Sequence, residues 1–223
     1  MSEMNMVQAV NSALDVMLDR DENVLVFGED VGYFGGVFRT SDGLQEKHGA
    51  QRVFDTPLSE GGIAAIAFGM GLNGLRPVCE IQFADYIFPA YDQIVNEIAK
   101  LRHRSGGEFW TPVTIRTPAG GGIRGGHHHS QSPESQFTHT PGLKVVYAST
   151  PYNAKGLLIS AIESEDPVVV FEPKRCYRGP FYGDPHNVPT WAGHPDADVP
   201  EGHYTIPIGQ ARLAKRGDEC TIV

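Results

Sequence analysis

The chain has 223 residues, of which 40% are hydrophobic and 20% are charged, an ordinary composition for a globular protein with one sizeable core. Its 18 Lys and Arg residues against 27 Asp and Glu residues give a formal charge of −9, so we expect neither nucleic acid nor an anionic membrane surface as a partner. Its three cysteines lie far apart without a CxxC motif, which favours reduced thiols in an intracellular protein over a disulfide framework.

The amino-terminal segment predicts an amphipathic helix, because apolar residues recur at helical spacing from Met6 to Leu18. The terminus has no basic region followed by an apolar run, and no later stretch reaches about 18 continuous apolar residues, so we expect no membrane span. The expected location is the cytoplasm, or the mitochondrial matrix for a processed eukaryotic chain.

Strands and helices then alternate along the chain. VLVFG at 24–28 predicts a buried strand, and it is followed by a Gly-rich loop and a short helix with Ser41 as cap and Gly49 as stop. RVFDTP at 52–57 predicts another strand. Ser59 is the predicted cap of the helix that follows, and PVCEIQ predicts the next strand.

The second half continues this alternation. Apolar residues from Ile87 to Leu101 recur at spacings of four and three and predict the clearest helix in the sequence. VTIRT, KVVYA and PVVVFEP are strand candidates, and Thr150 with Pro151 opens a helix between the last two. The pattern as a whole predicts an α/β fold with a mainly parallel sheet and helices on both faces.

The alternation stops in the last part of the chain. Residues 175–207 are rich in Pro, Gly, His and Asp, which predicts a linker or surface crossing. IGQARLAKRG and ECTIV regain strand character, as if a second domain began there and was cut off. We therefore predict one α/β domain over 1–175, a linker over 176–207 and the start of a further domain over 208–223.

Glu60 is the first residue that could carry chemistry. It follows a predicted helix cap and precedes two glycines, which would let a ligand approach its carboxylate closely. The ordinary explanation is a first-turn glutamate favoured by the helix dipole.

The loop from Gly120 to Glu134 combines glycines with three consecutive histidines, His127, His128 and His129. Its glycines formally match GxGxxG, but a dinucleotide site should open directly into a helix and reach an acidic residue about 20 positions on, and this loop does neither. A metal site using these histidines and His139 lacks the helical spacing and the nearby cysteines of zinc sites. A solvated loop and an acid or base role for one histidine remain the other hypotheses.

A further candidate lies where the strand PVCEIQ gives way to a helix. Four polar residues follow at this junction: Gln82, Asp85, Tyr86 and Tyr91. The carboxyl ends of parallel strands are where α/β folds bind ligands. The ordinary alternative is aromatic core filling and helix capping.

Taken in order, GEDVGYFGGVFR, DTPLSEGG, VCEIQFADYIFPAYDQIVNEIAK, HSQSPES, PGLKVV and NAKGLL closely resemble the β subunits of 2-oxo acid dehydrogenases. The resemblance runs from about Val7 to about Arg178. It implies the transketolase pyrimidine-binding fold and half of a thiamine diphosphate site. FADYIFPA followed by HSQSPE resembles the branched-chain, 2-oxoisovalerate type more than the pyruvate or acetoin type.

The resemblance also implies roles for individual residues. Glu60 matches the glutamate that hydrogen-bonds N1′ of the aminopyrimidine, for which a poorly solvated site should raise its pKa. Leu58, Gln82 and Tyr86 match positions that line the pyrimidine ring, and Glu29 matches a carboxylate in the surrounding shell. His129 matches the histidine at the mouth of the site, where it would assist acyl transfer to a lipoyl group.

The partners implied by the resemblance are an α subunit, a second β subunit and the lipoyl-bearing acyltransferase core. The chain has no GDG…N motif for Mg²⁺ and diphosphate, so that part of the site is expected on the α subunit. We expect no residue of this chain itself to bind a metal ion. The alternatives are a pyruvate or acetoin dehydrogenase β subunit, a non-catalytic structural subunit of such a complex, and a stand-alone nucleotide- or metal-binding protein built on the Gly-His loop.

Overall fold

The computed structural model describes residues 1–177, 198–213 and 215–221. Its main feature is a six-stranded parallel sheet, in which the strands pair in the order β3-β2-β4-β5-β7-β6. These strands are β2 (Val24–Gly28), β3 (Val53–Asp55), β4 (Arg76–Glu80), β5 (Thr114–Ala119), β6 (Lys144–Tyr147) and β7 (Val168–Pro173). Two short antiparallel strands, β1 (Ser2–Glu3) and β8 (Asp198–Val199), pair with each other. The predicted α/β class with a mainly parallel sheet is confirmed.

Seven α-helices connect the strands: α1 (Met6–Arg20), α2 (Leu44–His48), α3 (Glu60–Leu72), α4 (Leu101–Arg104), α5 (Glu134–Thr138), α6 (Pro151–Glu163) and α7 (Lys174–Tyr177). Short 3₁₀ turns lie at Ala84–Tyr86, Phe88–Ala90 and His127–His129, and a π-helical turn spans Gln93–Ile98. The counts refer to the residues that the structure describes. Among those residues, no helix is both long and apolar enough to cross a membrane.

The sheet separates two apolar cores. On one face α1 and α6 pack together over residues such as Val26 and Val170. On the other face α3 and the π-helical segment cover Phe27 and Phe171. Neighbouring residues of one strand therefore bury opposite faces, which is why the strands are apolar throughout. This three-layer arrangement exposes the carboxyl ends of the strands along one edge.

Helix capping follows the sequence prediction only in part. Thr150 caps α6 by accepting from the Asn153 amide, as predicted. Ser59 occupies the N-cap position of α3 but makes no side-chain capping bond, because its ψ is 80°, whereas ψ is 160° at the capping residue Thr150. Ser41 is not the cap of α2; its hydroxyl donates to the Val31 carbonyl at 2.8 Å, and Gly43 occupies the cap position instead.

The predicted helix between Ile87 and Leu101 is helical but not a regular α-helix. The Ala99 amide donates to the Ile94 carbonyl, five residues back, so the segment widens into a π turn. Ile94 and Ile98 remain buried. The spacing of four and three thus predicted the buried face correctly and the backbone type wrongly.

The strand character predicted near the carboxyl end is not found in the residues that the structure describes there. Residues 208–213 and 215–221 form no strand and are almost entirely exposed. The predicted start of a further domain stays a prediction. Much of the predicted linker, 178–197, lies outside the described residues. Its last part crosses α6, where the Tyr204 hydroxyl donates to the Tyr152 carbonyl at 2.7 Å.

Candidate functional site

Polar side chains converge where β2, β4 and β5 end. Glu29 directly follows β2, Gln82 lies two residues beyond β4, and the Gly-His loop follows β5. Since these strands are adjacent and parallel, their carboxyl ends meet at one edge, where α/β folds bind ligands. The start of α3, which carries Glu60, lies close to the segment after β4. A Cβ built on Gly61 would come within 3.1 Å of the carbonyl oxygen of Pro89 in that segment.

Glu29 and Glu60 form an acidic pair. Glu29 is 3% exposed, and neither of its carboxylate oxygens has a hydrogen-bond partner among the described residues. Burial, and then the negative charges of Glu60, Asp30 and Glu80, raise the pKa of Glu29 to about 7. Glu29 is thus a carboxyl that the fold brings towards neutrality at this edge of the sheet.

Glu60 is the first residue of α3 and is partly exposed. Its carboxylate makes no hydrogen bond or ion pair with any residue in the described part of the chain. Leu58, two residues earlier, is 80% exposed although it is a large apolar residue. A carboxylate without a partner in the described structure, two residues from an exposed apolar side chain, can receive a ligand with both polar and apolar surface.

Gln82 connects the loop after β4 to the loop after β2. Its amide donates to the Asp30 carboxylate at 3.3 Å, so it spans the gap between the β2 and β4 loops. The predicted site residues Glu29 and Gln82 therefore lie in neighbouring loops. Leu58 lies in the segment that leads into α3, two residues before Glu60.

Tyr86 and His129 are in direct contact. The Tyr86 hydroxyl lies 3.1 Å from His129 Nε2, and His129 Nδ1 lies 3.0 Å from the Gly125 carbonyl. Because a carbonyl can only accept, Nδ1 carries a proton, and the neutral imidazole then accepts the Tyr86 hydroxyl at Nε2. The ring of Phe83 meets the imidazole edge-on, with centroids 4.5 Å apart. These contacts hold the imidazole in one tautomer and one orientation.

A buried charge network below this edge was missed by the sequence analysis. Arg116 is fully buried between Glu80 and Glu172; it bonds both carboxylates, with Arg116 Nη2 2.7 Å from Glu172 Oε2. The Tyr177 hydroxyl donates to Glu172 at 2.6 Å, and the Thr40 hydroxyl to Glu80 at 3.3 Å. Burial raises the pKa of Glu80 even though Arg116 opposes the shift.

The sequence did contain a sign of this network. Three adjacent strands, β4, β5 and β7, each carry a charged residue inside a buried segment: Glu80, Arg116 and Glu172. Charges inside buried strands need partners. The strand order that brings them together is not written in the sequence, so the pairing could not be assigned from it.

The remaining histidines do not form a metal site with other described residues. The rings of His127 and His128 lie with centroids 3.8 Å apart, tilted by 44°, on an exposed 3₁₀ turn, and His139 follows α5 on the surface. Within the described ranges no group of three His, Cys, Asp or Glu side chains is placed to hold a metal ion. The metal hypothesis for this loop therefore has no support in the geometry.

Known proteins resemble the chain along its whole length. It is 55% identical to the 2-oxoisovalerate dehydrogenase subunit beta of Pseudomonas aeruginosa, over 100% of this chain and 64% of that protein. It is 54% identical to the mitochondrial subunit of the same name from Dictyostelium discoideum, over 99% of this chain and 56% of that protein. The pyruvate dehydrogenase E1 component subunit beta of Acholeplasma laidlawii is 48% identical, over 100% of this chain and 64% of the relative.

The solved structure of a split gene transketolase, described as an inactive beta4 tetramer, superimposes with a TM-score of 0.62 at 19% identity. The match covers 84% of this chain and 56% of that chain, and it supports the fold alone. Residues 2–180 match the transketolase pyrimidine binding domain family. The resemblance drawn from the motifs is thereby confirmed, and the chain belongs to the transketolase pyrimidine-binding domain family.

Proposed function

We propose that this chain is the β subunit of a thiamine diphosphate-dependent 2-oxo acid dehydrogenase that acts on branched-chain substrates such as 2-oxoisovalerate. The observation that carries the proposal is the carboxylate pair Glu29–Glu60 at the carboxyl edge of the sheet, in a chain 55% identical to a 2-oxoisovalerate dehydrogenase β subunit. The chain spans 64% of that relative, so activity, substrate and partners are all part of the proposal.

The residues present fit an aminopyrimidine. Glu60 offers a carboxylate without a partner among the described residues, and Leu58 offers an exposed apolar surface. A ring that carries hydrogen-bond donors on its rim and has apolar faces would satisfy both. The two oxygens of Glu29 are buried and have no hydrogen-bond partner in the described structure. Thiamine diphosphate, when bound, supplies carbanion chemistry that side chains cannot perform.

In this proposal Glu60 holds and moves a proton at N1′ of the pyrimidine. Leu58 and Tyr86 orient the ring, and Gln82 supplies a polar contact. Glu29 is increasingly protonated below about pH 7, so at mildly acidic pH it adds little negative charge beside Glu60. This chain therefore contributes two groups to the proposed site: the Glu60 carboxylate at the pyrimidine, and Glu29, whose negative charge is reduced by burial.

His129 serves the later transfer of the acyl group to a lipoyl arm. Its Nδ1 proton is committed to the Gly125 carbonyl, so Nε2 is the nitrogen available for proton exchange, with the Tyr86 hydroxyl 3.1 Å away. Such a positioned imidazole can act as general acid once protonated or stabilise developing charge. Mg²⁺ and the diphosphate would be held by an α subunit.

The proposed assembly contains this chain, an α subunit, a second β subunit and the lipoyl-bearing acyltransferase core. We keep residues 1–175 as the pyrimidine-binding domain, which is supported by the family match over 2–180. The division into a linker at 176–207 and a further domain from 208 stays a prediction. The proposed compartment is the cytoplasm for a bacterial chain and the mitochondrial matrix for a processed eukaryotic chain, since a bacterial and a mitochondrial relative both match.

The test is decarboxylation of 2-oxoisovalerate by the chain co-expressed with a candidate α subunit, measured with an artificial electron acceptor, thiamine diphosphate and Mg²⁺. Glu60→Gln should lower the cofactor-dependent rate by about 100-fold or more, the usual scale for losing a proton-transfer group. Glu22→Gln, an exposed residue on the α1–β2 turn, is the matched control and should retain full activity.

Activity that survives Glu60→Gln would reduce this chain to a structural subunit. A higher kcat/KM for pyruvate than for 2-oxoisovalerate would replace the branched-chain assignment with the pyruvate type. The pyruvate dehydrogenase β subunit that is 48% identical to this chain makes pyruvate the substrate to compare.

A further inference from the structure

The loop that carries His129 is fastened at its base by one buried carboxylate. The backbone amides of Ser130 and Gln131 both donate to Asp85 Oδ1, each at 3.2 Å. The Gly120 amide donates to the Gln131 carbonyl at 2.8 Å and closes the base from the other end. Asp85 itself is 7% exposed, in the 3₁₀ turn after β4.

These bonds are not an ordinary turn cap. The two amides belong to a segment 45 and 46 residues further along the chain, whereas a capping aspartate bonds amides of its own turn. The second oxygen of Asp85 is buried without a hydrogen-bond partner among the described residues. A buried carboxylate with one oxygen unsatisfied requires a compensating charge nearby.

The charge of the buried Lys174 acts on Asp85. Lys174 is 2% exposed, and among the described residues its ammonium makes one long hydrogen bond, 3.5 Å to the Pro118 carbonyl. Burial lowers its pKa to about 8, and the negative charge of Asp85 opposes this shift. The same ammonium lies 5.4 Å from the centroid of the Phe83 ring, a cation–π distance.

Phe83 joins the two groups to the imidazole, because its ring is the one that meets His129 edge-on at 4.5 Å. Asp85 therefore fixes the backbone next to His129, while Phe83 packs against the imidazole on one side and against the Lys174 ammonium on another. We propose that Asp85 is the positioning residue of the His129 loop, with Lys174 as its buried counter-charge. The link to acyl transfer rests on the function proposed above; the fastening of the loop does not.

The direct test is amide hydrogen exchange in the ¹⁵N-labelled chain, followed by NMR at Ser130 and Gln131. Asp85→Ala should speed exchange at both amides by about tenfold or more, since both lose a charge-assisted bond. Asp85→Asn keeps an acceptor oxygen without the charge and should restore part of the protection. His128→Ala, on the same loop but in ring contact with His127 rather than with the Asp85 anchor, should leave both amides unchanged.

Lys174→Met provides a second route if Asp85→Ala does not fold. It removes the ammonium while keeping an unbranched apolar stem beside Phe83, and it should also speed exchange at Ser130 and Gln131. Protection of Ile115 in β5 reports on the fold and should be equal in all variants that fold. Unchanged exchange at Ser130 and Gln131 in whichever of these variants folds overturns the inference, as does an equal increase in His128→Ala.

Activity of the assembled enzyme gives a readout that a purely structural role would not move. Asp85→Ala should lower kcat for acyl transfer to a lipoyl group while preserving decarboxylation with an artificial acceptor and the KM for the 2-oxo acid. Loosened amides with undiminished acyl transfer would overturn the link to His129 chemistry. Wild-type enzyme without any cofactor-dependent decarboxylation would instead contradict the proposed function, and the exchange data would still decide whether Asp85 holds the loop.

Discussion

The carboxylates of Glu29 and Glu60 lie near enough that the charge of Glu60 is the second cause, after burial, of a Glu29 pKa of about 7. Glu29 is 3% exposed and its oxygens find no hydrogen-bond partner in the described structure. The fold therefore keeps an acid at the site that is close to half-protonated at neutral pH. A buried carboxyl without hydrogen-bond partners lowers the stability of the folded state. The position of Glu29 at an edge where α/β folds bind ligands gives a functional reason for a carboxyl there.

This pair predicts a pH-dependent cost in stability. The ordinary pKa of Glu29 is 4.5 and the folded value is about 7, so the folded state binds more protons and loses stability as the pH rises between these two values. Glu29→Gln cannot ionise and should be more stable than the wild type by about 1–2 kcal/mol at pH 8 and nearly equal at pH 4. Urea unfolding at both pH values measures the difference.

The control for this experiment is Glu22→Gln, an exposed glutamate on the turn before β2. It should change stability by less than about 0.5 kcal/mol at either pH. A wild type and a Glu29→Gln variant with parallel pH profiles would show that Glu29 is ionised and accommodated in the folded state.

Arg116 should be among the most costly residues to replace. It is fully buried between the carboxylates of Glu80 and Glu172, so Arg116→Met leaves two buried negative charges without their common partner. We expect a loss of about 3–5 kcal/mol, measured by denaturant unfolding. The matched variant is Arg104→Met, whose pair with Glu97 is exposed at 3.1 Å and should contribute less than about 1 kcal/mol. Equal losses in the two variants would contradict a special role for the buried network.

The sequence predicted the architecture well because the apolar patterns of strands and helices are local. The six strands of the sheet and the helices α1, α3 and α6 follow directly from runs and periodicities. Ser41 was misassigned because its hydroxyl bonds the Val31 carbonyl, ten residues away, and local patterns do not contain that competition. The π turn at Gln93–Ile98 was missed because its buried positions repeat much as those of an α-helix do.

Less of the site could be predicted, because its contacts join distant segments. Tyr86 and His129 were identified separately through the family resemblance, but their hydrogen bond spans 43 residues and depends on β4 and β5 being neighbours. The raised pKa of Glu29 was not predicted, because the burial that causes it falls on the residue that directly follows a central strand. Asp85 was noted at its junction, but its hold on the His129 loop required the fold.

Lys155 should control how the segment 198–206 docks onto the helical layer. Its side chain is fully buried, and its ammonium donates to Ser12 Oγ at 2.8 Å and to the Pro200 and Glu201 carbonyls at 2.5 and 2.7 Å. Lys155→Met removes all three bonds and should make residues 198–206 about tenfold more sensitive to limited proteolysis, through easier local opening. Lys144→Met, a half-exposed lysine paired with Asp166, should not change that sensitivity. Cleavage at wild-type rates in Lys155→Met would show that Tyr204 and Ile206, which pack over Gly156, suffice to hold the segment.

Gly142 should not tolerate a side chain, for two separable reasons. Its φ is +90°, and a Cβ built on it would lie 1.9 Å from the Ala99 carbonyl oxygen. Gly74 has a nearly equal φ of +87° but open space around it, so Gly74→Ala isolates the backbone strain, about 1 kcal/mol. Gly142→Ala adds a backbone clash and should cost about 3 kcal/mol or more in thermal or denaturant unfolding. Because Ala99 ends the π turn that packs against α3, a displacement of Ala99 should also reach the helix that begins at Glu60. Near-equal losses of stability in Gly142→Ala and Gly74→Ala would mean that the π turn shifts to accept the added methyl group at no further cost.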